Sequence, residues 1–106
     1  MIQVGASIID ITPPNGMAMA GFAARTGVAE GDHDALTVRA LVVDDTAVVT
    51  VDVIGIDANL SARARARAAL PDEAITITAT HTHGGPVSMP GRLSAEADPA
   101  FILNLE

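Results

Sequence analysis

Two histidines one residue apart, His81 and His83 in the stretch TATHTHGGP, are the side chains of this sequence best suited to chemistry. Neutral imidazole is a good ligand for zinc, which takes nitrogen donors at about 2.0–2.1 Å. The chain has no cysteine, so disulfides and thiolate chemistry are excluded and any metal site must draw on His, Asp or Glu. The run before the pair is rich in β-favouring residues, and residues i and i+2 of a strand share a face. Both imidazoles are therefore expected on one side of a strand end, as two ligands or as one ligand and one catalytic group. The hydroxyls of Thr80 and Thr82 are candidates to support them. The competing reading is a pair of solvent-facing loop histidines; the strand before and the glycines after favour metal binding or catalysis.

Other candidates are more scattered. Asp52 falls late in a β-rich run, where an acid can support a site, although a strand-end acid more often bonds nearby backbone N–H groups. His33 stands between Asp32 and Asp34, whose charges favour imidazolium; a solvated loop histidine is the plainer reading. Arg25 and Arg92, both in expected loops, are the candidates for an anionic substrate group. Arg63, Arg65 and Arg67 read as a solvated helix surface. Positions four apart share a helix face, so Arg63 and Arg67 should point together and Arg65 away. Met17 and Met19 read as core or cleft filler.

The bulk composition narrows the function classes. The 106 residues suffice for one domain, and 49% of them are apolar, too many for a disordered chain. Net charge is −7, a field that repels nucleic acid and anionic membrane surfaces. Phe22 and Phe101 are the only aromatics of the Phe, Tyr and Trp class, so stacking platforms for bases are nearly absent. No apolar run is long enough to span a bilayer. The first residues lack the basic and long apolar regions of a signal peptide, which favours a cytoplasmic location.

The elements that must position these groups are legible from pattern. Residues 2–12 read as a strand stopped by Pro13-Pro14-Asn15-Gly16. Residues 17–22 are a short apolar segment, and 23–35 a long loop of the kind that usually carries function. Residues 36–43 and 46–54, rich in β-branched residues and joined at Asp44-Asp45, predict an antiparallel hairpin. Asp57, Asn59 or Ser61 can cap a helix running to about Ala69, ended by Pro71. Residues 74–80 return to strand, so 46–80 is a βαβ unit with parallel strands and a right-handed crossover. The pair would then lie at the C-terminal end of a parallel strand, where open α/β sheets place ligands. A Gly/Pro-rich loop covers 84–94, and Asp98-Pro99 opens a last helix whose Phe101, Ile102, Leu103 and Leu105 are expected to lack a partner. The expected fold is α/β: a mixed sheet with a hairpin followed by a βαβ unit, forming residues 1–106 as an incomplete part of a larger domain.

Two metallohydrolase classes that use an HxH pair do not fit. In the HxHxDH motif of metallo-β-lactamase-like enzymes, the last two positions would be Gly85 and Pro86. The amidohydrolase barrel needs about 200 residues or more. In contrast, the segments GASIIDITPPNGMAMAGFAAR (5–25), GDHDALTVRALVVDD (31–45), VVTVDVIGID (48–57) and TATHTHGGP (78–86) occur in an order that resembles the N-terminal part of the neutral/alkaline, non-lysosomal ceramidase family. The resemblance covers nearly all of this chain and only the opening of the family's catalytic domain; HTHGGP is its most specific part.

Members of that family are zinc-dependent amidases that split the N-acyl bond of ceramide. The resemblance implies that His81 is a zinc ligand and that His83 lines the site as a catalytic group beside the metal. The family's other ligands, a histidine, a glutamate and a tyrosine, lie downstream of this region and are not matched here. The remainder of a catalytic domain is thus expected downstream, the 106-residue chain alone is expected to be inactive, and the substrate is expected to be a small-molecule N-acyl amide or lipid. The alternative is a non-catalytic binding or structural module with an incomplete metal site.

Overall fold

The computed structural model describes residues 1–92 and 96–106; the last two positions of the expected 84–94 loop lie outside the described residues. Strand β1 (Val4–Asp10) pairs antiparallel with β2 (Thr37–Val43), and β2 pairs antiparallel with β3 (Thr46–Val51). Helix α1 (Ala58–Ala66) follows, then a 3-10 turn at Asp72–Ala74 and strand β4 (Ile75–Ala79), which lies parallel to β3. Helix α2 (Pro99–Asn104) comes last. The result is a four-stranded mixed sheet in the order β1-β2-β3-β4, the α/β arrangement expected of a hairpin followed by a βαβ unit.

Local chemistry explains the element ends. The hairpin turns at Asp44, which takes φ 49°, a left-handed conformation that Asp tolerates better than most residues. Its Oδ1 accepts a hydrogen bond from Gln3 N at 2.8 Å, tying β1 to the turn. Asp57 caps α1 by accepting from Leu60 N at 2.7 Å. The helix stops at Ala66 rather than near Ala69, because the chain tightens: Arg67 N and Ala68 N bond the carbonyls three residues back, at Ala64 and Arg65. Asp98 caps α2 through Ala100 N at 2.9 Å and Phe101 N at 3.2 Å, with Pro99 in the first turn.

The register decides which face is buried. Val38, Val49 and Ile77 fall on one side of the sheet, where they pack with Val51, Val53, Ile11 and Phe101. Helix α1 lays Leu60, 2% exposed, over this side. Phe101 is 3% exposed, so the expectation of an unpartnered last helix is corrected: Phe101 enters the core, and Leu103 alone among its apolar neighbours stays strongly exposed, at 64%. Arg63 and Arg67 do share a face, and both reach Glu106 after α2. On the other side of the sheet Val4, Ile8, Leu41, Val43 and Val48 meet across the strands and remain exposed.

A second, smaller cluster of Ala20, Ile54 and Val87 sits apart from the main core. It holds the 17–22 segment and the 84–89 loop together. Ala20 N bonds Gly85 O at 2.9 Å and Val87 N bonds Ala18 O at 3.1 Å. Ser88, fully buried, donates to Gly55 O at 2.6 Å.

Candidate metal centre

Strand β4 ends at Ala79, and the chain leaves extended geometry at His81, where φ is 62°. The two histidines therefore do not share a strand face, and the strand-periodicity rationale is corrected. Two hydrogen bonds to the segment just past β3 over-determine the turn. His81 N donates to Val53 O at 3.0 Å, and the ring Nδ1 lies 2.7 Å from Ile54 O. A carbonyl can only accept, so Nδ1 carries the hydrogen of that bond. In the neutral ring this leaves a lone pair on Nε2, the tautomer that a metal-ligating histidine adopts when a carbonyl fixes its other nitrogen.

The freed nitrogen faces its neighbour. His81 Nε2 and His83 Nε2 are 3.5 Å apart, with ring centroids 5.1 Å apart and planes at 74°. Two nitrogens bound tetrahedrally to one zinc at about 2.05 Å stand about 3.35 Å from each other. The pair thus fits two corners of a zinc tetrahedron almost without movement. Without a metal, the same separation permits only a long, weak hydrogen bond between the rings. Among the described residues, no group of three or more His, Cys, Asp or Glu side chains comes together to hold a metal ion.

His83 is held from the side of the long loop. Arg25 Nη2 donates to His83 O at 2.7 Å. The Phe22 ring meets the His83 ring edge-on, with centroids 4.9 Å apart and planes at 78°. Gly21 lies directly against the imidazole: a Cβ built on it would stand 2.5 Å from Cγ of His83 and 2.7 Å from Nδ1. Of these contacts, sequence reasoning singled out only Arg25, and for a different purpose. The roles of Gly21, Phe22 and the Ile54 carbonyl leave no local signature, because they depend on how the chain folds onto residues distant in sequence, 27 positions for Ile54 and His81 and more for the 21–22 segment and His83.

The other candidates fall elsewhere. Asp52 Oδ2 accepts from Thr37 N and Thr37 Oγ1, each at 2.9 Å, which fastens the start of β2 to the end of β3. Burial alone would raise its pKa, yet the bonds from Thr37 and Thr80 and the charge of Arg39 together hold it below the ordinary carboxylate value. Thr82 Oγ1 accepts from Gly84 N at 3.1 Å. His33 is almost fully exposed and pairs with Asp34 at 3.0 Å. It lines a cleft of about 200 Å³ with Asp32, Met19, Thr82 and Gly84. Arg92 is exposed in a turn closed by its N–H on Met89 O at 3.2 Å. No helix among the described residues is long and apolar enough to cross a membrane.

Comparison of the chain with models of known families, with curated proteins and with solved structures found no match.

Proposed function

We propose that this chain is the N-terminal segment of a zinc-dependent amide hydrolase resembling neutral ceramidase, acting on N-acyl-sphingosines or related N-acyl amides. The observation that supports the reading best is the pair of Nε2 atoms 3.5 Å apart, with the other ring nitrogen of His81 engaged by the Ile54 carbonyl at 2.7 Å. His81 is the metal ligand. His83, its Nε2 3.5 Å from that of His81, is the catalytic group beside the metal, able to donate a hydrogen bond to a developing oxyanion or to move a proton. When bound, zinc supplies Lewis acidity, which polarises an amide carbonyl and acidifies water. On this reading the ligands beyond His81 lie in sequence downstream of this region.

The test compares zinc content and fatty-acid release from N-acyl substrates in the whole protein and in its His81→Ala variant. Loss of both is expected. Retention of stoichiometric zinc and of activity by His81→Ala would sink the proposal. A second reading, a non-catalytic binding module, draws on the absence of a third clustered ligand among the described residues. It predicts zinc uptake through the histidine pair with no hydrolysis of any N-acyl amide, even in the whole protein.

A further inference from the structure

The segment Gly21–Arg25 carries backbone features that its own packing does not explain. Gly21 has φ +79° and Phe22 follows at φ 53°. For a bulky side chain, left-handed geometry is a genuine outlier that surrounding structure must impose. Burial of the ring does not impose it, because Phe22 is 63% exposed. What the conformation achieves is contact with His83. Gly21 offers a surface without Cβ on which the imidazole lies, and Phe22 closes on it edge-on at 4.9 Å. Arg25 holds the His83 carbonyl at 2.7 Å while its guanidinium carbon sits 5.3 Å from the Phe22 ring centre, a cation–π distance. His81 stands on the remaining side, 5.1 Å between ring centres.

We propose that Gly21, Phe22 and Arg25 form a clamp that sets the His83 imidazole against His81, making them positioning residues for the two-nitrogen site. The clamp supplies no donor to the site; it removes freedom from a side chain that would otherwise turn to solvent. Its link to zinc rests on the function proposed above, whereas the clamp itself is a statement about where His83 points.

Two readouts keep these apart. The first needs no metal: nuclear Overhauser contacts between the His81 and His83 ring protons, and the His83 ring-proton shifts, in the 106-residue chain and its variants. Gly21→Ala is expected to abolish the ring-to-ring contact, and Phe22→Leu to move the His83 shifts. The second is zinc affinity by competition with a chromophoric chelator. Groups that orient the side chains of a metal site typically carry about 10–100-fold in metal affinity or activity. A fall of that order is expected for Gly21→Ala, a smaller one for Arg25→Met, and none from Gly21→Ala once His83→Ala is already present. Should Gly21→Ala fail to fold, Phe22→Leu and Arg25→Met carry the test, since neither changes the glycine.

Persistence of the ring-to-ring contact in folded clamp variants overturns the proposal. So does an affinity loss that is undiminished in the His83→Ala background, because the effect would then be global. If the unsubstituted protein takes up no zinc, the functional reading fails while the ring contacts still decide the clamp.

Discussion

Replacing Asp52 by Asn separates a structural acid from a catalytic one. The carboxylate accepts two hydrogen bonds from Thr37, each at 2.9 Å. Bonds to charged groups contribute about 1.5–3 kcal/mol each and are roughly twice as strong as neutral ones. Asn keeps an acceptor oxygen but loses the charge, so about half of each bond is lost, in total about 1.5–3 kcal/mol. Asp52 is only partly buried, and water offsets part of this. The expected destabilisation at pH 7 is about 1–1.5 kcal/mol, or about 5–10 °C in Tm for a chain of this size. The pH dependence has a definite sign. The folded pKa is lowered from 3.8, so the stabilisation is fully present above that value and lost as pH falls through the lower, folded one. Urea denaturation at pH 7 and at pH 2 should therefore show a gap between the two proteins that closes in acid. Zinc uptake by the folded variant should be unchanged. A gap below about 0.3 kcal/mol at pH 7, a gap undiminished at pH 2, or loss of zinc by a folded Asp52→Asn protein would each refute this account.

Phe101→Ala should cost about 3–5 kcal/mol, the usual range for emptying a buried aromatic site; a change under about 1 kcal/mol in the urea midpoint would show that α2 does not dock as described. Leu41→Lys and Val48→Lys, on the exposed sheet face, should alter stability by no more than about 1 kcal/mol while lowering aggregation and binding of an apolar dye. Losses above about 2 kcal/mol would mean that this face is covered in solution.

Most of the sheet was legible because its signals are local. Alternation in LTVRALVV placed Val38, Ala40 and Val42 on the half-buried side; Asp98 marks its helix directly, and of the three candidate caps Asp57, Asn59 and Ser61 the first is the one used. What was not legible depends on tertiary contacts. The run 46–54 reads as one strand, but pairing in β3 stops at Val51, and the backbone of Val53 and Ile54 turns its carbonyls to His81. The last helix reads as unpartnered because its partners, Ile11, Val51 and Val53, are far away in sequence. For the site, the candidate side chains were evident from residue type; the tautomer of His81 and the contacts around His83 were not, since each depends on a backbone atom or loop that no spacing rule identifies.

The departure from strand geometry bears on whether the pair can act together. Side chains at i and i+2 of a regular strand start about 6.6 Å apart and point in parallel, roughly twice the nitrogen separation that one zinc tolerates. An HxH pair kept within β4 would need both rings to lean inward. By taking φ 62° at His81, the chain rotates one imidazole out of the strand direction, and the second is pressed toward it from the side of Gly21 and Phe22. The Nε2 atoms meet at 3.5 Å because the strand has ended. The positive φ is unfavourable for a histidine standing alone, and it is held by two bonds to the Val53 and Ile54 carbonyls just past β3. Strain, tautomer and ring convergence thus meet at one place: the turn just past β3, where the Val53 and Ile54 carbonyls both engage His81.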